Sequence, residues 1–193
     1  MIIPNVIFKD DTGHPMGLDI FSRLLKDRII FFNDVVTSDT AGLVVAQMVH
    51  LATLNKDPVH FYINSPGGSV LDGLSIIDAV RILSEQGCPV HTYGIGKQAS
   101  FGSLLLICGK NGQRRIFKNS LIMVHSITSS SSGSLPSLEE ELKLTKLLNG
   151  VITDLYTSHT KLSREDMERI FHSPDTWFDA VKAVEFGIAD EII

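Results

Sequence analysis

An α/β domain assembled from parallel βαβ units is the fold class this sequence predicts, and three observations carry the prediction. Short apolar runs of strand length alternate along the chain with segments of helical period, which is the pattern of strands returned to one sheet by crossover helices. The chain has 193 residues, enough for one domain with a sizeable core and little room for a second. Hydrophobic residues make up 44% and charged residues 20%, an ordinary globular mixture with neither a disordered nor a fibrous bias.

The elements follow in order. Arg28–Phe32, Val59–Ile63, Val90–Gly94, Arg114–Phe117 and Leu121–Ser126 are apolar runs of strand length. Between the first two, Ser38 is placed to cap a helix that carries Leu43, Val44, Gln47, Met48, Leu51 and Leu54 at helical spacing. A second helix is expected from Leu71 to Glu85, with Leu74, Ile77, Val80 and Leu83 on one face. The apolar run Ser103–Cys108 reads as a third, short helix. Ser126 to Ser137 is serine-rich and poor in apolar residues, after which Ser137-Leu-Glu-Glu140 has the pattern of a capping box. The helix it opens is long: Leu138, Leu142, Thr145, Leu148, Ile152, Leu155 and Tyr156 form an apolar stripe to about His159. Asp179 is expected to cap a last helix that stops at Gly187.

Several function classes are disfavoured at once. The net charge of −5 and the even spread of 17 Lys and Arg leave no basic face for nucleic acid. Met1 to Asp11 has neither the basic start nor the apolar core of a secretory signal. The most apolar run, Leu104–Cys108, is far short of the roughly 20 residues that cross a bilayer. Cys88 and Cys108 are the two cysteines, and neither has a CxxC or metal-ligand spacing, so two free thiols in a reducing cytoplasm are expected. No HExxH occurs among the seven histidines, and neither a catalytic zinc nor another cofactor is expected.

Three segments together have the makings of a nucleophilic acyl-transfer site. In Gly96-Lys-Gln-Ala-Ser100-Phe-Gly102, Ser100 stands between a strand and an apolar helix, where free N–H groups and the helix dipole favour developing negative charge. The N–H of Phe101 is then a candidate oxyanion donor, although a serine here also suits a plain N-cap. Asn64-Ser-Pro-Gly-Gly-Ser69 follows a strand, and its two glycines let backbone N–H groups face outward. That suits a second oxyanion donor at Gly68 and equally suits an ordinary tight turn. His125 ends an apolar strand one helix and two strands beyond Ser100, so a crossover would return it beside the nucleophile as the candidate general base. His14, His50, His60, His91 and His159 have no such context. Two near-motifs fail. Gly94-Ile-Gly96-Lys97 lacks the earlier Gly and the following Ser or Thr of a phosphate loop, and Gln98 stands where G-x-S-x-G requires its first Gly.

Taken in order, these motifs resemble the Clp protease proteolytic subunit family over almost the whole chain. Asp19-Ile-Phe-Ser-Arg-Leu-Leu-Lys-Asp-Arg-Ile-Ile30 is similar to that family's N-terminal signature, and Tyr62-Ile-Asn-Ser-Pro-Gly-Gly68 to its oxyanion loop. Ala99-Ser-Phe-Gly102 matches the nucleophile box except that Phe101 replaces a Met. Met123-Val-His125 matches the histidine box, and Ala183-Val-Glu-Phe-Gly-Ile-Ala-Asp190 the C-terminal motif. The resemblance implies a crotonase-like spiral of βαβ units with a projecting handle helix. It divides the chain into an axial segment (1–19), a head (20–125 and 175–193) and a handle region (126–174). It further implies seven-membered rings stacked in pairs, a cytoplasmic setting, and unfolded polypeptide substrates fed by a separate AAA+ unfoldase.

The family's third catalytic residue is an Asp, and the matching position here reads Ile170 or Phe171, in a stretch one residue longer than the pattern. Neither side chain can orient an imidazole. A Ser100–His125 dyad with weak or conditional activity is therefore expected, with His172 or Asp175 as substitutes that the motif does not predict. A silent subunit of a mixed ring is the first rival reading, and an acyl-CoA enzyme on the same fold a distant second. Pro174 in place of an Arg, and the serine-rich Thr128–Ser134 in place of a glycine-rich strand, lead to an expectation of looser ring pairing.

Overall fold

The computed structural model describes residues 3–9, 12–129 and 132–193, so parts of the expected axial segment (1–2 and 10–11) and of the serine-rich excursion (130–131) lie outside the described residues. β1 (Asn5–Lys9) and β2 (Pro15–Asp19) pair antiparallel and lead into α1 (Ile20–Lys26). The sequence gives α1 a strong start, since the Asp19 carboxylate accepts hydrogen bonds from the Phe21 and Ser22 N–H groups.

Then comes the expected alternation. β3 (Ile29–Phe32), α2 (Ser38–Leu54), β4 (Val59–Ser65), α3 (Val70–Glu85), β5 (Val90–Ala99), α4 (Phe101–Ile107) and β6 (Arg114–Ile116) follow one another. β7 (Leu121–Val124), α5 (Leu135–His159), α6 (Arg164–Phe171), β8 (Thr176–Asp179), α7 (Ala180–Glu185) and β9 (Glu191–Ile192) complete the chain. The main sheet runs β3-β4-β5-β6-β9 with every neighbouring pair parallel. β7 also pairs parallel with β5, and β8 runs antiparallel to β7.

Strand alternation explains which face is buried. Val59, Phe61 and Ile63 of β4 are fully buried against the helices, while His60 and Tyr62 between them point to the other face. On that second face Phe31 stacks on Tyr62 and Tyr62 on Tyr93, with centroids 5.9 and 4.4 Å apart, and the Arg115 guanidinium lies over the Tyr93 ring. α4 is apolar nearly all round and every residue in it is buried, as such a helix must be.

Three helix starts differ from the sequence expectation, and the first is α4, which begins at Phe101 rather than Ser103. Thr37, not Ser38, caps α2: its hydroxyl accepts from the Thr40 N–H, and the Thr40 hydroxyl at the third helical position accepts in turn from the Thr37 N–H. α5 starts at Leu135 after Ser134, so Ser137 lies inside the helix. Pro136 is tolerated in the first turn, where no N–H is needed. The expected stripe on α5 is fully buried only toward its end, at Ile152 and Tyr156; Leu142 on it is exposed, as are Leu135, Leu144 and Leu147 off it. Asp179 does cap the last helix, and Gly187 follows it with φ of 71°.

Arg114 closes the fold. It is buried, and it donates to both Asp190 carboxylate oxygens, to the His159 carbonyl at the end of α5 and to Asn111. Burial alone would raise the Asp190 carboxyl, but the hydrogen bonds and charge of Arg114 outweigh it and hold the group below the usual carboxylate range.

His60 and His91 face each other edge-on across β4 and β5, with ring centroids 5.4 Å apart. Both titrate below the ordinary histidine value. Burial is the main cause in each; Arg115 and Arg28 add to it at His60, and His60, Arg115 and Lys110 at His91. A histidine lowered by folding binds fewer protons folded than unfolded, so its contribution is present above about pH 6.5 and is lost as pH falls below it. Urea midpoints should therefore decline from pH 7 to pH 5, and His60→Asn with His91→Asn should flatten that decline.

Candidate active site

β5 is the longest strand of the sheet, and it changes partner midway. Thr92–Gly94 pair with β6, and Lys97–Ala99 pair with β7. On its other edge the ladder to β4 runs from Ile63↔Gly94 to Ser65↔Gln98, so Asn64 alone faces Ile95, Gly96 and Lys97. This is a bulge, and Gly96 supplies the positive φ (64°) that it needs. The Asn64 side chain fills the gap by accepting the Lys97 N–H at 3.0 Å.

Ser100 comes directly after β5 and directly before α4. Its φ of 53° and ψ of −125° lie where side-chain-bearing residues are strained. Its hydroxyl makes no cap hydrogen bond. Instead, Oγ lies 2.8 Å from His125 Nε2. The plain N-cap reading therefore does not describe this serine. The turn has the strained strand-to-helix form of a nucleophile elbow, although the G-x-S-x-G pattern is absent.

Close approach explains the glycines around it. A Cβ on Gly67, which has φ of 92°, would stand 2.6 Å from Ser100 Cβ and 2.8 Å from the Phe101 nitrogen. A Cβ on Gly102 would stand 2.7 Å from the Ser65 carbonyl oxygen. Gly68 has φ of 150° and is held against Val36, where a Cβ would meet the Val36 carbonyl oxygen at 2.2 Å. In this loop the Gly67 N–H donates to Ser65 Oγ and the Ser69 N–H to the Val36 carbonyl, with the Gly68 N–H between them. Phe101 is the first residue of α4, so no carbonyl of its own helix can accept its N–H.

His125 follows β7, and the β7–β8 register decides what faces it. Val124 is opposite Thr176, so the next pair along is His125 and Asp175. The His125 Nδ1 to Asp175 Oδ1 distance is 3.7 Å, with the carboxylate half-exposed. That is an ion-pair separation, longer than a hydrogen bond. Ile170 and Phe171 pack on the core instead. His172 is turned to its own helix, its Nδ1 being 2.7 Å from the Glu168 carbonyl oxygen.

A cavity of about 60 Å³ opens beside Ser100, His125, Gly68 and Phe101. Val70, Leu104, Ile127 and Ile152 line it together with the polar Ser126, Thr128 and Tyr156. The buried Tyr156 hydroxyl lies 2.5 Å from Ser103 Oγ, which donates to the Ser100 carbonyl at 2.6 Å. Burial pushes the Tyr156 phenol above its usual range, so it stays neutral and able to donate. Chemically, the arrangement offers a hydroxyl in contact with an imidazole, a carboxylate beyond the imidazole, two N–H groups and a small recess of mixed polarity. Among the described residues, no group of three or more His, Cys, Asp and Glu could hold a metal ion.

The model of the family described as Clp protease matches residues 12–193. The chain belongs to the Clp protease family. It is 39% identical to the ATP-dependent Clp protease proteolytic subunit of Deinococcus radiodurans, over all of this chain and 92% of that protein. It is 38% identical to the protein of the same description from Bdellovibrio bacteriovorus, over all of this chain and 90% of that one. The chain is accordingly a serine-type peptidase subunit with the family's α/β fold.

Sequence reasoning did not find the Ser103–Tyr156 contact or the side-chain bonds of Gln98, because both are made between distant segments. β8 was also absent from the expected elements. Its β-prone Thr176-Trp-Phe trio after Pro174 was the available signal, and the strand is what brings Asp175 to His125. Gly67→Ala adds a clash to an already positive φ, and should lower stability by about 1–3 kcal/mol in urea unfolding.

Proposed function

We propose that Ser100 is the nucleophile, His125 its general base, Asp175 the group that orients His125, and the Gly68 and Phe101 N–H groups the oxyanion donors. The observation that carries this reading is the 2.8 Å contact between Ser100 Oγ and His125 Nε2 at a strained turn whose hydroxyl caps nothing. With Nδ1 protonated toward the Asp175 carboxylate, Nε2 is free to accept. Nε2 takes the Ser100 proton as Oγ attacks the scissile carbonyl, and the resulting oxyanion accepts from the two N–H groups. His125 then gives that proton to the leaving amine as the C–N bond breaks. A water, deprotonated by the same imidazole, hydrolyses the acyl-enzyme and restores Ser100.

Peptidase activity on unfolded polypeptides delivered by a AAA+ unfoldase, within stacked seven-membered rings in the cytoplasm, is part of the same reading. It rests on the two relatives, described as proteolytic subunits of an ATP-dependent protease. No helix among the described residues is long and apolar enough to cross a membrane. The exposed leucines of α5 suit a handle region that packs on another copy, with residues 1–19 as the axial segment and the rest as the head.

A fluorophosphonate probe should label Ser100 in the assembled protein, and Ser100→Ala should abolish both label and hydrolysis of a fluorogenic peptide. An unlabelled wild-type protein would instead favour the silent-subunit reading. Asp175→Asn should lower kcat by roughly 10- to 10³-fold. The loss falls short of the ~10⁴-fold seen for a buried, hydrogen-bonded triad Asp, because this carboxylate is half-exposed and 3.7 Å away.

A further inference from the structure

We propose that Gln98 is a positioning residue: its carboxamide pins the bulge at which β5 changes partners, and so sets where Ser100 stands between His125 and the oxyanion loop. The inference rests on the reading of Ser100 as nucleophile.

Gln98 is fully buried two residues before Ser100. It lies opposite Ser65 on β4 and Ile122 on β7, the two strands that lead to the glycine loop and to His125. Its Nε2 donates to the Ile63 carbonyl at 2.8 Å and to the Ile95 carbonyl at 2.7 Å. Ile63 is the last β4 residue in register before the bulge, and Ile95 is the first residue within it on β5. A planar carboxamide carries two N–H groups in a fixed fork, which is what bridging two such carbonyls requires.

Two features indicate that the donors, rather than the bulk, are what this position uses. Oε1 is buried with no hydrogen-bond partner among the described residues. A buried acceptor left unmatched is unfavourable, and a Met or Leu would fill the space without it. Gly94 also makes room for the side chain, since a Cβ there would stand 2.7 Å from Oε1. The consequence reaches the site through the backbone. Beyond the bulge Lys97–Ala99 pair with Leu121–Met123, the Ser100 N–H donates to the Met123 carbonyl at 2.8 Å, and His125 follows two residues later. If the bulge relaxed, Ser100 would shift along β7 relative to His125, and along β4 relative to Gly67 and Gly68.

Gln98→Met keeps the length and removes both donors, whereas Gln98→Glu keeps the planar shape and removes the amide. Each is compared with wild type for peptide hydrolysis, for the rate of Ser100 labelling by a fluorophosphonate, and for fold and assembled mass by circular dichroism and light scattering. The expected result is folded, assembled protein whose kcat falls about 10- to 100-fold with KM within about twofold, since sub-ångström misplacement acts on the reacting geometry rather than on binding. The labelling rate should fall by the same factor. Unchanged kcat and labelling beside a lowered melting temperature would make Gln98 a packing residue and overturn the inference, as would failure of both variants to fold. Wild-type protein that takes no label would remove the reading of Ser100 first, and this inference with it.

Discussion

A β-strand has two edges, and each can pair with one neighbour at a time. β5 meets that limit by bulging, so that its first half pairs with β6 and its second half with β7. Nearly everything at the candidate site depends on that exchange. It ends β5 beside the strand that leads to His125, and the chain enters α4 through Ser100 at a positive φ. The strained turn is closely packed: a Cβ on Gly67 would clash with Ser100 and one on Gly102 with Ser65, and every residue of α4 is buried.

The glycine loop after β4 is shaped by the same crowding. Gly68 is pressed against Val36 and Gly67 against Ser100, so the loop is held between the segment after β3 and the Ser100 turn. Hydrogen bonds to Ser65 and Val36 use the N–H groups on either side of Gly68, and Gly68 itself lines the cavity. In the proposed mechanism an oxyanion donor is effective when it is set before the charge develops, and the close packing of this loop suits that role.

α5 joins two environments. Its later turns enter the core through Ile152 and Tyr156, and the Tyr156 hydroxyl reaches Ser103 and through it the Ser100 carbonyl. Its earlier turns expose four leucines to solvent in the single chain. Arg114 binds the end of this helix to the C-terminal segment through the His159 carbonyl and Asp190, so the long helix is anchored at the end nearest the site. Membership of the Clp protease family fits a chain built in this way, with an α/β head and a long helix that exposes leucines among its charged residues.

The sequence by itself determined the alternation of strands and helices, since apolar runs of strand length bounded by turns form buried parallel strands with little dependence on context. It also determined the ordered motifs around Ser100, His125 and Gly67-Gly68, because helix starts and glycine turns are local features. Cap positions were less legible: Thr37 and Ser38 are both good caps, and only the side chain of Thr40 chose between them. The tertiary structure alone decided the partner of the imidazole. Ile170 and Phe171 occupy the aligned positions, and Asp175 reaches His125 because β8 pairs antiparallel with β7 in a register that no local pattern encodes. It also decided that Gln98, which breaks the nucleophile-elbow motif in the sequence, lies inside the turn's support. Its partners, the carbonyls of Ile63 and Ile95, come together only once β4 and β5 have paired out of step.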